Sequence, residues 1–304
     1  MPLTSWSRRG AALGLAAVFT LPAPAPQPPA LAVLIVVDQL RGDYLDRFGD
    51  DFHGGLGRFA REGVHYTDAH QDHAITETAP GHATTLSGRS PASTGIVGNR
   101  FGVGDSTAPL LGVKGPGASP HRFRGTTLHD WLRARDPGTR ALSVSRKDRG
   151  AILPIGRAKA DVYWYAEGRF TTSIWYRPAL PAWLEAWNAR RGAARLAGRA
   201  WTLSRPESAY PEPDAMPYEN GGRDIEFPHV LPADTTVAED AVGSSPWVDS
   251  LTLDVALEGV RALRLGQRKG TDLLVVSLSA TDIVGHRYGP DSREVHDQLL
   301  RLDG

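Results

Sequence analysis

Two stretches of this sequence restrict its fold more than anything else in it. Leu31-Ala32-Val33-Leu34-Ile35-Val36-Val37 is an unbroken aliphatic and β-branched run that ends in a carboxylate, Asp38. Asp272-Leu273-Leu274-Val275-Val276-Ser277-Leu278-Ser279 is a second run of the same kind, and it leads into Ala280-Thr281-Asp282. Short runs that are apolar continuously, rather than at every second position, belong to strands buried on both faces between the helices of a parallel sheet. Open α/β sheets bind ligands beyond the carboxyl ends of their strands, so Asp38 and Asp282 are expected at one shared site.

Between the two runs lie helix signals. They are Gly57 to Arg61 stopped by Gly63, Pro80 to Leu86 stopped by Gly88, and Thr127 to Arg135 stopped by Pro137. The longest runs from Ser250 to Leu265, with Leu253, Leu257, Val260 and Leu263 on one stripe and Gly266 as its stop. A last helix beginning near Asp291 carries the stripe Val295, Leu299 and Leu302, which needs a partner surface. Alternating strands and helices predict an α/β domain, a mostly parallel sheet with helices on both faces. Residues 161–232 depart from this pattern, being rich in Trp, Tyr and Pro, and are read as an inserted cap beside the site. Filling of an ordinary core accounts equally well for each of these aromatics taken singly. No internal repeat is evident.

The chain has 304 residues, 41% of them hydrophobic and 22% charged, with 34 basic and 34 acidic side chains. A balanced charge provides no broad basic field for nucleic acid, so an anion here must be met by a few placed cations. The absence of Cys excludes thiolate metal sites and cysteine nucleophiles, which leaves Asp, Glu, His or hydroxyl oxygen as metal ligands. At the amino terminus, Arg8-Arg9 precedes an apolar run from Ala11 to Pro22 and Pro/Ala-rich sequence through Ala30, the order of a secretory signal. Residues 1–30 are therefore expected to direct export to the periplasm or the exterior, by a general or a twin-arginine route. No later apolar stretch is long enough to cross a bilayer.

The chemistry concentrates in Glu77-Thr78-Ala79-Pro80-Gly81-His82. A Thr just before a Pro-initiated helix lies where free N–H groups and the positive helix end attract an anion, so a phosphoryl group could dock over its hydroxyl. A plain N-cap is the competing reading of Thr78, and packing against the following turn that of His82. Asp282 and His286 stand four apart in a turn-rich stretch after the second strand. Hard oxygen plus imidazole suits Zn²⁺, whereas separately the two could be a turn former and a surface residue. Lys147 and Arg149 flank Asp148, and on an extended segment both cations would point to one face, unless the segment is simply a solvated charged loop.

Taken in order, these motifs resemble the alkaline phosphatase superfamily, within it the phosphate-irrepressible alkaline phosphatases. The resemblance extends from about Val33 to Asp303. It rests on Val36-Val37-Asp38-Gln39-Leu40-Arg41, Thr78-Ala79-Pro80-Gly81-His82, Thr94-Gly95-Ile96-Val97-Gly98-Asn99 and Lys147-Asp148-Arg149-Gly150. It continues through Thr281-Asp282, Gly285-His286, Gly289-Pro290, Ser292, Glu294 and Arg301-Leu302-Asp303. It implies that Asp38 ligates one zinc and that Thr78 is the nucleophile bound to the same ion. It implies further that Asp282 and His286 ligate a second zinc, and that Asn99, Lys147 and Arg149 contact phosphate oxygens. The implied reaction is hydrolysis of a small phosphate monoester through a phosphothreonine, with two zinc ions as the cofactors.

The same resemblance sets an expectation of incompleteness. The family's later Asp-His pair and final His have no counterpart before Gly304, so each zinc would keep about half its protein ligands. A C-terminally incomplete chain with an open sheet edge and impaired activity is expected. The alternatives are a phosphodiesterase or nucleotide pyrophosphatase of the same superfamily and a non-catalytic fragment.

Overall fold

The computed structural model describes residues 27–304; the expected export segment, Arg8 through Pro22, lies outside them. In chain order the strands are β1 (Leu31–Val37), β2 (Ala141–Ser145), β3 (Asp161–Ala166), β4 (Arg169–Thr171), β5 (Ala200–Trp201), β6 (His229–Val230) and β7 (Asp272–Leu278). The α-helices are α1 (Tyr44–Phe48), α2 (Gly55–Glu62), α3 (Thr78–Thr85), α4 (Pro91–Thr94), α5 (Leu128–Arg135) and α6 (Asp148–Ile152). They continue with α7 (Ala182–Asn188), α8 (Thr235–Val242), α9 (Trp247–Ala262), α10 (Ala280–Tyr288) and α11 (Arg293–Asp303).

The main sheet has the order β1-β7-β2-β3-β4, parallel except for the antiparallel edge strand β4. The central strand β7 shows why its sequence is apolar throughout. Leu274 and Val276 enter one core with Val248, Val255 and Ala256 of α9, while Leu273 and Val275 enter another with Ala79 and Ala83 of α3 and Ala151 and Ile152 of α6. Successive side chains of a strand point to opposite faces, so a strand sandwiched between helix layers can have no polar face. Each such side chain contributes about 1.5–3 kcal/mol by leaving water.

β1 does not share that environment. The expectation of a strand buried on both faces holds for β7 and fails for β1, which is the sheet's edge and leaves Val33 and Ile35 53% and 50% exposed. These two stand in register with Leu274 and Val276, but α9 packs over β2 and β7. α9 itself runs three residues earlier than expected at each end, and its buried side is Val248, Thr252, Val255, Ala256 and Gly259. Leu253 and Leu257 of the expected stripe are exposed, because Gly259, which a side chain would drive into Leu142, fixes the contacting face.

The last helix finds its partner surface within the chain. Val295 and Leu299 of α11 pack with Tyr44, Phe48 and Phe52 and with Val284 and Tyr288 of α10. Residues 161–232 divide into two parts. The first, β3 and β4, belongs to the main sheet, so Tyr163, Trp164 and Tyr165 are core residues of a strand. The second includes the β5–β6 ribbon, which is tied to α11 through Trp201, whose Nε1 donates to Asp297 (2.6 Å), and through His229, 3.1 Å from Glu294.

Candidate active site

β1 and β7 run in parallel from Leu31↔Asp272 to Val37↔Leu278, so they end at the same level. Asp38 follows β1 directly, and its N–H donates to the Leu278 carbonyl (3.0 Å). Beyond β7 the chain turns at Ser279 into α10, placing Asp282 in the first helical turn and His286 one turn on. The turn-rich reading of this stretch is thus corrected to helix. Gly285 is a helical residue at which a side chain would collide with the Gln39 amide that follows β1. The start of α10 is held from α9: Asp249 Oδ1 accepts the N–H groups of Ser279 (2.8 Å) and Ala280 (3.0 Å).

Two more elements complete the cluster. α3 begins at Thr78 itself, with Glu77 as its N-cap, so Thr78 is the first helical residue and not the one preceding the helix. β2 ends at Ser145, and α6 begins at Asp148 with Lys147 at its N-cap. The extended segment expected around Lys147 and Arg149 is therefore absent, and the two cations part company. Gly150 allows the turn, since a side chain there would strike the hydroxyls of Ser145 and Ser277.

The Lys147 ammonium stands 2.5 Å from Asp38 Oδ2, 2.5 Å from Asp282 Oδ2 and 3.2 Å from Thr78 Oγ1. The Thr78 hydroxyl donates to Asp38 Oδ2 at 3.1 Å. Four of the seven expected site residues thus touch one another. The other three stand around them. His286 Nε2 is 3.3 Å from Asp282 Oδ1 with a side chain 71% exposed, at the rim. Asn99 accepts the Ala79 N–H at 2.9 Å, next to the Thr78 hydroxyl. Arg149 contacts its neighbour Asp148, and its buried Nε has no partner. A cleft of about 360 Å³ opens beside the cluster, lined by Asp38, Gln39, Glu77, Thr78 and His82.

Electrostatics fix the protonation states. Burial pushes the Asp38 carboxyl up, but the Lys147 ammonium beside it outweighs this and holds it below the ordinary carboxylate value. Burial pushes the His82 imidazole below its usual value, so the ring is neutral. His82 Nδ1 lies 2.8 Å from the Thr78 carbonyl, which can only accept. Nδ1 therefore carries the proton, and Nε2 accepts from the Ser277 hydroxyl (2.8 Å). His82 reaches back to the Thr78 carbonyl instead of packing against the following turn.

Four supporting residues were given no functional role by the sequence reading: Glu77, His82, Ser277 and Asp249. Glu77 and His82 stood within the quoted motif, and Ser277 left a signal as a hydroxyl inside an apolar strand that must find a buried partner. Glu77 acts through Asn99, whose backbone N–H donates to its carboxylate (2.6 Å).

The family model described as type I phosphodiesterase / nucleotide pyrophosphatase matches residues 32–304. The chain belongs to that family. Among relatives of this phosphodiesterase family member is the alkaline phosphatase PhoV of Synechococcus elongatus, 37% identical over 296 residues, covering 90% of this chain and 54% of PhoV. Another is the alkaline phosphatase PafA of Elizabethkingia meningoseptica, 32% identical over 298 residues, covering 90% of this chain and 55% of PafA. The crystal structure of wild-type PafA superposes with a TM-score of 0.83 at 31% identity, covering 92% of this chain and 58% of that one. The α/β architecture with a mostly parallel sheet is thus shared, and the chain spans about half the length of the curated relatives it matches.

Whether the cluster suits a metal can be judged from its donors. Two carboxylates, a hydroxyl and a rim imidazole converge, and the position between the carboxylates already holds a cation, the Lys147 ammonium. The donors fit a divalent cation in kind. In number they fall short: among the described residues no group of three or more His, Asp or Glu side chains is gathered tightly enough to hold a metal ion. A pair of zinc ions with about four ligands each would draw only about half its ligands from here.

Proposed function

We propose that this chain carries the nucleophile-bearing half of a phosphate monoester hydrolase site, with Thr78 as nucleophile. The observation that supports this reading most is the convergence of Thr78 Oγ1, Asp38, Asp282 and Lys147 at the carboxyl ends of two parallel strands. Zinc held by Asp38 and Thr78, and by Asp282 and His286, would supply Lewis acidity, lowering the pKa of the threonine hydroxyl and neutralising charge on the departing oxygen.

The chain's own groups account for binding and alignment. The ionised Asp38 accepts the Thr78 hydroxyl hydrogen and turns the oxygen's lone pairs toward the cleft. The His82 bridge to Ser277 fixes the backbone that carries this oxygen. Arg149 and the Asn99 amide would take phosphate oxygens, charge-assisted donors being the stronger kind. Thr78 Oγ1 attacks phosphorus, its bond to the ester oxygen breaks, and the hydroxyl proton ends on the alcohol released. Water then cleaves the phosphothreonine to regenerate Thr78 and free phosphate. The substrate is a small phosphate ester met outside the cytoplasm after export, beside a cap formed by the part of residues 161–232 that follows β4. Among the described residues no helix is long and apolar enough to cross a membrane.

The test is to incubate the zinc-supplemented chain with p-nitrophenyl phosphate, quench in acid and map phosphopeptides by mass spectrometry. A phosphate on Thr78 that is absent from Thr78→Ala is expected; no covalent phosphate at Thr78 removes the reading. The family model's own description favours a second reading, a diesterase. Faster release of nitrophenol from bis(p-nitrophenyl) phosphate than from the monoester would establish it.

A further inference from the structure

We propose that a pocket among Arg122, Arg124 and Arg157 is a second anion site, separate from the cleft, which takes the phosphate group of an organic phosphate and lays its organic part against Phe101. The site does not depend on the chemistry proposed for the cleft, and the two cavities share no lining residue.

The pocket has a volume of about 340 Å³ and opens between the loop that follows α4 and the segment that precedes α5. Three guanidiniums and the His121 imidazole line it, and no acidic residue does. Among the described residues none of these guanidiniums has a carboxylate within 4.0 Å. Asp105, 3.6 Å from His121 Nδ1, is engaged by the hydroxyls of Ser119 and Thr107. What positions the arginines is backbone, which places a charge without cancelling it. Arg122 Nη1 donates to the Gly104 carbonyl (2.7 Å), and Arg157 Nη1 donates to the His121 carbonyl (3.2 Å). Arg124 is held by its own N–H, which donates to the Thr94 carbonyl (2.8 Å). The neighbouring Gly95 has φ +77°, and a side chain there would come within 3.1 Å of the Arg122 carbonyl and 3.4 Å of Arg124 Nε. Glycine is therefore what lets the arginine segment close on this turn.

Three like charges gathered without a counter-charge repel one another. An oxyanion entering between them removes that cost and gains charge-assisted N–H···O bonds. Phosphate suits the pocket better than carboxylate, since its greater charge and three free oxygens can engage several guanidinium forks at once. The lip of the pocket points to the organic half. Phe101 and Val97 are 57% and 45% exposed there, apolar surface for the group that the phosphate carries. Each stands two residues from Asn99, so an occupied pocket bears on the loop that borders Thr78.

Titration calorimetry on the metal-free chain tests this, with phenylphosphonate, which has no ester bond to lose, as the probe and inorganic phosphate beside it. Phenylphosphonate should bind at one site, and Arg124→Gln/Arg157→Gln should weaken it roughly tenfold or more. Arg133→Gln/Arg135→Gln removes the same charge from the exposed side of α5, outside the pocket, and should leave the affinity unchanged. Phe101→Ala should weaken phenylphosphonate and spare inorganic phosphate, and Arg149→Gln, in the cleft, should spare both. No binding by wild type, or equal losses in the two arginine pairs, overturns the site. A loss in Arg149→Gln as large as in Arg124→Gln/Arg157→Gln assigns the binding to the cleft and overturns it as well. Equal affinity for the two anions, untouched by Phe101→Ala, overturns the organic phosphate as the ligand.

Discussion

Among the acids buried or half-buried in the described residues, those at the ends of β1 and β7 and Asp297 on α11 are accommodated in opposite ways. Asp297 of α11 is saturated. Its Oδ1 accepts from the Ser204 N–H (2.6 Å) and the Tyr210 hydroxyl (2.8 Å), and its Oδ2 from Trp201 Nε1 (2.6 Å) and Arg301 Nε (2.6 Å). Burial pushes this carboxyl up, and the Trp201 and Arg301 donors more than reverse it, holding it below the ordinary value. In the cleft, by contrast, Asp38 and Asp282 divide a single ammonium between them. A buried charge with every lone pair engaged ties elements together; one left half-compensated is a place for another cation or a ligand. Both centres lie inside the span that resembles the phosphatases, and they differ in whether every carboxylate lone pair is engaged.

The sharpest way to break this distinction is to remove each acid. Asp297→Ala leaves the indole, the phenol and the guanidinium without their acceptor and should cost about 3–5 kcal/mol in denaturant unfolding, as expected for one member of a buried ionic network. Asp38→Asn, which leaves Lys147 paired one-to-one with Asp282, should cost less than Asp297→Ala while zinc uptake is lost. Equal losses in the two variants would make the cleft acids structural as well. Because the Asp297 pKa is depressed, its contribution is fully present above the unfolded carboxylate value near 3.8 and disappears as pH falls below it.

How much of this could be read from the sequence follows from which interactions are local. The two strand runs, the carboxylates that end them, the helix start at Thr127 and, to within a residue or two, the last helix expected near Asp291 and capped by Ser292 were legible, because periodicity and caps act over a few residues. The edge position of β1 was not, since Leu31–Val37 is as apolar as β7 and only the tertiary arrangement decides which strand α9 covers. Asp38 and Asp282 were legible as a pair from their places at the carboxyl ends of two strands, and Thr78 joined them only through resemblance, since alone it reads as a cap. Arg301-Leu302-Asp303 was legible as part of that resemblance but not for its purpose. Asp303 accepts the N–H groups of His53, Gly54 and Gly57 at the start of α2, and Arg301 serves Asp297, so that motif binds the structure together. The contacts of Asp249 and Glu77 are set by backbone N–H groups distant in the sequence, and His82 meets the Ser277 hydroxyl only through the fold, about which residue identity says nothing.

Asp249 stands between the two centres and sharpens the contrast at smaller amplitude. Like Asp297 it receives donors, the N–H groups that start α10, but its Oδ2 is buried without a partner. Burial pushes its carboxyl up to about 7. Folded Asp249 thus holds a proton that the unfolded chain gives up near 3.8, and the stability tied to it is complete below that value and lost as pH rises to about 7. Glu219, also pushed up to about 7 by burial, falls in the same window, so the informative quantity is the difference between wild type and Asp249→Asn. The Asn oxygen keeps both N–H bonds while the charge cannot form. Wild type should lose melting temperature relative to the variant across this window; parallel curves would show that Asp249 stays ionised throughout and that water reaches its second oxygen.

The smallest expected effect on stability lies at the exposed mouth of the cleft, where it separates positioning from folding most cleanly. Asn99 Oδ1 is committed to the Ala79 N–H, which leaves its NH₂ group as the donor for a phosphate oxygen. The Glu77 carboxylate holds the Asn99 backbone from the other side. Glu77→Gln retains an acceptor and should alter neither stability nor ligand capture. Glu77→Ala removes it and should cost under about 1 kcal/mol of stability, the net worth of one solvent-facing hydrogen bond. The same change should weaken binding of inorganic phosphate to the zinc-supplemented chain by up to roughly tenfold, because the amide is then free to turn. Titration calorimetry of the two variants beside Asn99→Ala decides the matter. A loss in Asn99→Ala without one in Glu77→Ala would mean that Ala79 alone orients the amide, and Glu77 would pass from the cleft's machinery to the class of groups that, like Asp297, only hold the chain in place.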